Sequence, residues 1–171
     1  LESGKYDRIV SVGMFEHVGG SYYVDFFNKI KSLLTKDGIA VVHTIARWDG
    51  PSVTNPWLRK YIFPGGYTPS MSEIFSATER AGVKVLDVEF LRLHYAETLK
   101  AWSINFRANR DKVKEIYDER FCRMWEFYLA GAETAFRRQD HMIAQLQISH
   151  DQEAAPLTRD YMFNWKRDNP L

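Results

Sequence analysis

Cysteine is nearly missing: Cys122 is the only one in 171 residues. A lone thiol excludes an intrachain disulfide and fits a reducing compartment, so a cytoplasmic setting is expected. Long apolar runs are missing too. No stretch approaches the ~20 residues of a membrane-spanning helix, and no secretory leader is visible. The first residue is Leu rather than Met, which fits a chain with further sequence ahead of it. Charge of one sign is also lacking, because 23 Lys and Arg against 22 Asp and Glu leave a net +1. That balance argues against a nucleic-acid binder held by phosphate neutralisation. His94, His141 and His150 share no metal-ligand spacing, so no metal is expected. No Gly-x-Gly-x-x-Gly loop occurs, so any nucleotide-type cofactor has its main cradle outside this chain.

What is present starts with Ile9-Val-Ser-Val-Gly-Met-Phe-Glu-His-Val-Gly19. An apolar strand here runs straight into Glu16 and His17, as a cleft at the carboxyl edge of an α/β sheet requires. The run from Arg8 to Phe15 reads as a parallel strand buried on both faces. Ser21 is placed to cap a helix bearing Tyr23, Phe26, Phe27, Ile30, Leu33 and Leu34 on one face, with Gly38 as its stop. Ile39 to Thr44 is a second strand, and strand, helix and strand make a right-handed parallel crossover.

The stretch 46–69 is rich in Gly and Pro and holds Trp57, Tyr61, Phe63 and Tyr67. Its aromatic content favours a packed lid over a linker. Ser70-Met-Ser-Glu73 is a capping box opening a helix that stops at Gly82. Val83 to Leu91 is a third strand. The region 94–139 reads as helical, with aromatic and aliphatic stripes that suit core packing or an apolar substrate channel. Met142 to Ile148 alternates with Gln145 and Gln147, the mark of a half-exposed antiparallel strand. The tail 150–171 reads as irregular. The expected fold is α/β: one partial domain over 1–171, the C-terminal half of a doubly wound Rossmann-like sheet. It has three parallel strands, a late antiparallel strand and an inserted helical lid region.

Glu16 ends the first strand and His43 lies near the end of the second, so adjacent parallel strands bring both to one cleft. A carboxylate beside a neutral imidazole can hold a small species between an acceptor and a donor, which is a proton-transfer site in outline. Glu16 could instead be a helix-terminal charge, and His43 a hydrogen-bonded core histidine. His17 reads as structural or exposed, Cys122 as an inert core thiol, and Tyr95 as the packed start of a helix.

Tyr6 to Gly19, Val42-His-Thr-Ile45, Pro56-Trp-Leu-Arg-Lys-Tyr-Ile-Phe-Pro-Gly-Gly66, His94-Tyr-Ala-Glu-Thr-Leu-Lys-Ala-Trp102 and Pro156-Leu-Thr-Arg-Asp-Tyr161 together resemble the cyclopropane-fatty-acyl-phospholipid synthases. The likeness covers nearly the whole chain and corresponds to the C-terminal part of that family's catalytic domain. It implies an S-adenosylmethionine-dependent methyltransferase fold that adds a methylene across a cis double bond of a phospholipid acyl chain. It also implies bicarbonate as the base.

By the same likeness, Glu16 would accept a hydrogen bond from bicarbonate and His43 would donate one. Ile45 N–H and the Tyr95 hydroxyl would complete the pocket. Trp57, Tyr61 and Phe63 would form a substrate lid. The family's glycine-rich cofactor loop, its acidic ribose-binding residue and a cysteine near the bicarbonate would precede Leu1. The expected partners are phospholipid acyl chains at a membrane surface and further copies of the chain, with peripheral association at the inner membrane. The open alternatives are a small-molecule S-adenosylmethionine-dependent methyltransferase, which also carries a Phe-Glu-His segment, and a non-catalytic oligomerising fragment.

Overall fold

The computed structural model describes residues 3–170. In chain order the elements are β1 (Tyr6–Val12), α1 (Tyr23–Leu33), β2 (Leu34–Arg47), α2 (Pro56–Tyr61), α3 (Met71–Ala81) and β3 (Lys84–Phe90). They continue with α4 (His94–Ala108), α5 (Arg110–Ile116), α6 (Glu119–Arg138), β4 (His141–Ser149) and α7 (Asp160–Asp168).

The four strands form one sheet in the order β1-β2-β4-β3. β1 runs parallel to β2, while β4 is antiparallel to both β2 and β3. Three strands therefore share a direction and the last one in sequence is reversed, as the alternation around Gln145 and Gln147 predicts. β4 is not an outer strand, however. It fills the gap between β2 and β3, with Met142, Ala144, Leu146 and Ile148 fully buried.

Period-2 alternation gives the sheet two unlike faces. Ala40, Val42 and Ala46 of β2 and the four buried residues of β4 point one way, toward α1 and α3. Phe27 and Ile30 of α1 and Ile74 and Ala77 of α3 close that core. The other face carries Val41, His43, Ile45, Gln145 and Gln147, half-buried. Ile45 and Ile143 on this side pack against a second cluster built on Leu99 of α4 and Leu129 and Phe136 of α6.

Local signals explain most boundaries. Ser70 and Glu73 form the complete capping box, and Gly82 ends α3 at φ 63°, a left-handed value that favours glycine. Asp118 caps α6 by accepting from Phe121 N–H at 2.6 Å.

Five expectations need correction. Ser21 caps nothing; it sits in a 3₁₀ turn, Gly20–Tyr22, that leads into α1. Gly38 does not stop α1, which ends at Leu33; β2 starts at Leu34 and is irregular where Tyr6 pairs with Leu34 but Arg8 with Ile39. Gly38 lies in that bulge, where a Cβ would meet Leu34 Cδ2 and Thr35 O at 3.0 Å. β1 is not buried on both faces, since Val10 and Val12 are 70% and 65% exposed. The 46–69 stretch starts as strand and contains α2, capped by the Asn55 side chain with Pro56 at its first position. The tail is not wholly irregular: α7 occupies Asp160–Asp168 and is tethered by Arg159 pairing with Asp87.

Candidate active site

β1 is shorter than β2, and that mismatch builds the site. The parallel ladder ends where Gly13 N–H donates to His43 C=O at 3.0 Å. Two residues further along β2, Ile45 N–H has no strand beside it. Glu16, in the 3₁₀ turn Phe15–His17 just past β1, turns its carboxylate back and accepts that N–H at 2.6 Å. A side chain thus extends the ladder by one rung, and the bond is short, as charge-assisted bonds are. The second oxygen, Oε2, is buried and has no hydrogen-bond partner among the described residues. A buried carboxylate oxygen left without a donor is costly unless something supplies one.

His43 pairs across the sheet with Gln145, and the Gln145 amide nitrogen lies 2.9 Å from His43 Nδ1. An amide nitrogen can only donate, so Nδ1 accepts and the neutral ring carries its proton on Nε2. β4 thereby fixes the tautomer of a histidine on β2. The strand pattern places Gln145 on the polar face but gives no hint of this role, which depends on the β2–β4 register.

Tyr95, in the first turn of α4, is half-buried and packs its ring on Phe136 and Trp102. Burial raises its hydroxyl pKa and the nearby Glu16 charge raises it further. Tyr128 of α6 is 6% exposed, and burial with a smaller contribution from Tyr95 pushes its pKa up to about 12. Glu16, Tyr95 and Tyr128 therefore form an electrostatic chain at the sheet's carboxyl edge, with both phenols protonated at neutral pH. Tyr128 reads in sequence only as part of an apolar stripe; its hydroxyl in that stripe was the one available signal.

The 46–69 segment, the expected lid, is tied into the same place. Tyr67 N–H donates to the Glu16 backbone carbonyl at 2.8 Å, and the Tyr67 hydroxyl donates to Glu73 at 2.9 Å. The capping-box carboxylate of α3 so also anchors the lid. Phe63 stands edge-on to Tyr128 at 5.7 Å and tilted toward His17 at 6.3 Å. Trp57 and Tyr61 lie further out: Trp57 meets Phe127 at 4.8 Å and Tyr61 at 5.7 Å. All three expected lid aromatics lie toward α6, Phe63 on Tyr128 beside His17, and Trp57 on Phe127 with Tyr61 next to it. His17 is exposed beside Phe63, and Cys122 is buried within the α4–α6 core.

A cavity of about 550 Å³ runs between the lid and α6, bordered by Arg47, Thr54, Trp57, Tyr67 and Tyr128 and floored by Gly131 and Ala135. Tyr67 and Tyr128 line it, whereas Glu16 and His43 do not. At the sheet's carboxyl edge, beside this cavity, the arrangement offers one unsatisfied acceptor, an imidazole N–H and a phenol.

Known proteins resemble the chain in sequence and in fold. The sequence profile described as mycolic acid cyclopropane synthetase covers residues 1–146. A tuberculostearic acid methyltransferase of Mycobacterium tuberculosis (strain ATCC 25618 / H37Rv) is 39% identical over 140 residues, 78% of this chain and 33% of that protein. A cyclopropane-fatty-acyl-phospholipid synthase of Escherichia coli (strain K12) is 38% identical over 149 residues, 87% of this chain and 39% of that one. The crystal structure of mycolic acid cyclopropane synthase CmaA1 complexed with SAH and CTAB superposes with a TM-score of 0.78 at 30% identity. That match covers 86% of this chain and 56% of the other. The chain thus spans well under half the length of these two curated relatives. Its mixed sheet, with the reversed strand between two parallel ones, is the methyltransferase fold. On the match over residues 1–146, this chain belongs to the mycolic acid cyclopropane synthetase family.

Proposed function

We propose that the protein carrying this chain transfers a methylene group from S-adenosylmethionine to a cis double bond of a phospholipid acyl chain, forming a cyclopropane ring. This chain would supply the acceptor side of the site. One observation carries the reading: Glu16 Oε2 is buried and has no partner among the described residues, while Oε1 is pinned by Ile45 N–H. A pinned carboxylate with one open oxygen is suited to accept a single O–H in a fixed direction.

Bicarbonate fits that requirement, having an O–H to donate and anionic oxygens that need donors. Glu16 Oε2 would take the O–H. The Nε2–H of His43, its tautomer set by Gln145, and the protonated Tyr95 hydroxyl would donate. Ile45 takes part through Glu16, because its N–H is engaged there. When bound, S-adenosylmethionine supplies an electrophilic methyl carbon, and bicarbonate the base for the proton lost on ring closure. The packed α4–α6 wall, through Tyr128, Leu129 and Phe136, excludes water from the acceptor side. Phe63 and Tyr67 hold the lid over it.

No helix among the described residues is long and apolar enough to cross a membrane. We infer a peripheral association with the inner membrane, from which acyl chains are drawn. Within this chain β1 lies at the edge of the four-stranded sheet with Val10 and Val12 exposed, so the chain by itself would offer that strand to a second copy. Light scattering tests this.

The function is tested with methyl-labelled S-adenosylmethionine and vesicles whose acyl chains are either cis-unsaturated or saturated. The reading expects label in the unsaturated chains, with each product heavier by one methylene, and none in the saturated ones. Label on the headgroup, or no label in lipid, overturns it.

A further inference from the structure

Outside the site, α2 and the first half of α6 enclose an open groove of about 1130 Å³ with an unusual lining. Its walls are aromatic: Trp57 and Tyr61, one turn apart on α2, face Phe121 and Phe127 of α6. Two of the three charged residues in its lining are positive. Arg120 and Arg123 line it, both exposed, and neither has an ion-pair partner among the described residues. Lys60 lies over the Tyr61 ring at 5.1 Å.

The one carboxylate in the lining is Asp118, whose Oδ1 is engaged by Phe121 N–H. The neighbouring acids point elsewhere, since Glu119 binds Arg110 and Lys114, and Glu126 binds Arg110. Lys60 and then Arg120 lower the Tyr61 hydroxyl pKa, so two cations converge on one phenol.

Helix stability does not explain this arrangement. Arg120 and Arg123 sit in the opening turns of α6, the positive end of its dipole, where cations are disfavoured. In a chain with a net charge of only +1, unpaired arginines set against a dipole and flanked by stacked aromatics point to an external anion.

We propose that this groove binds the phosphodiester headgroup of an anionic lipid at a bilayer surface. Arg120, Arg123 and Lys60 would hold the phosphate, while Trp57, Tyr61 and Phe127 enter the interface. The proposal rests on the lipid reading above and deepens it by naming where the membrane docks. Arginine forks suit phosphate oxygens, and Tyr and Trp suit the headgroup level, where one side is apolar and the other wet. Trp57 and Tyr61 belong to the lid that covers the site, so docking here brings the bilayer to the mouth of the 550 Å³ cavity, which Trp57 also borders.

Co-sedimentation of the full protein with phosphatidylglycerol-containing vesicles, against phosphatidylcholine alone, tests the groove. The Arg120→Gln/Arg123→Gln variant should bind the anionic vesicles about 30-fold more weakly, as expected for two basic groups near an anionic surface. Lys36→Gln/Lys166→Gln removes equal charge from exposed positions elsewhere and should bind nearly as wild type. The wild-type advantage for anionic vesicles should also shrink as salt rises. Equal losses in both double variants, or equal wild-type binding to both vesicle types, overturns the proposal. Release by inorganic phosphate at concentrations that leave ionic strength unchanged would reveal a small-anion site and overturns it too. Turnover on unsaturated acyl chains in neutral detergent micelles separates the two claims. Wild-type turnover there, with vesicle binding insensitive to Arg120 and Arg123, sinks the groove and spares the lipid reading. Lack of any turnover sinks that reading, while the vesicle comparison still decides the groove.

Discussion

The two faces of the sheet are made by alternate residues of the same strands, yet they do different work. Toward α1 and α3, Ala40, Val42, Ala46, Ala144, Leu146 and Ile148 are at most 1% exposed and wholly apolar or small. Toward α4, α6 and solvent, Val41, His43, Gln145 and Gln147 are half-buried, and two of these four meet in a hydrogen bond. The first face concentrates burial free energy, at roughly 1.5–3 kcal/mol for each large apolar side chain. The second gives up part of that burial to hold a histidine in one tautomer. Rigid backing on one side is what lets the other keep a partnerless carboxylate oxygen in position.

The largest effect should come from the apolar face. Phe27 is 0% exposed beneath the sheet and touches the Phe15 and Phe26 rings. Phe27→Ala should cost about 3–5 kcal/mol of stability in a denaturant melt; a loss below 1 kcal/mol would mean that this face is less tightly packed than described.

Next is the alkaline behaviour of Tyr128. Its pKa rises from the ordinary 10 to about 12 in the fold, so the unfolded chain loses this proton first. The stabilisation is fully present below pH 10 and is lost as pH rises through about 12, amounting to about 2–3 kcal/mol. Tyr128→Phe should flatten the fall in stability over that window. An unchanged slope would show that the α6 wall is wetter than its burial implies.

Smaller still, Gln145→Leu keeps the size of the side chain but removes the donor to His43 Nδ1. Turnover should drop about tenfold, corresponding to ~1.4 kcal/mol, from loss of one hydrogen bond that orients the ring. Gln145→Glu would instead accept from Nδ1–H and favour the opposite tautomer or the imidazolium, so its pH–rate profile should change shape, which a packing defect would not cause. Smallest is Ser70→Ala, at about 1 kcal/mol, the worth of an N-cap, with little change in turnover.

Much of this contrast was legible in the chain. Hydrophobic alternation marked β2 and β4, Ser70 and Glu73 marked the start of α3, and strand-end reasoning put Glu16 just past β1 and His43 near the end of β2. The helical region was legible from its apolar stripes, which the structure assigns to α4, α5 and α6. What stayed hidden depends on pairing over long sequence separations. Gln145 meets His43 only through the β2–β4 register, 102 positions apart. The end of α1 was missed because Thr-Lys-Asp-Gly reads as a helix stop, whereas here it is a strand bulge. α7 was missed because its sequence is polar and its dock is an ion pair between Arg159 and Asp87, 72 positions apart. The role of Tyr67 depends on how the lid folds back onto Glu16, which no local pattern encodes.

The central claim is that Glu16 serves chemistry on the polar face while the apolar face carries the fold. Glu16→Gln separates these most directly, because the amide oxygen can still accept from Ile45 N–H while the open oxygen becomes a donor. Turnover on unsaturated phospholipid vesicles and the thermal midpoint should be measured side by side on this variant. The account predicts a loss of roughly 30- to 1000-fold in turnover, about 2–4 kcal/mol of transition-state stabilisation, with the midpoint held. Wild-type turnover, or a midpoint that collapses along with it, would contradict the account and leave Glu16 as no more than the last rung of a strand ladder.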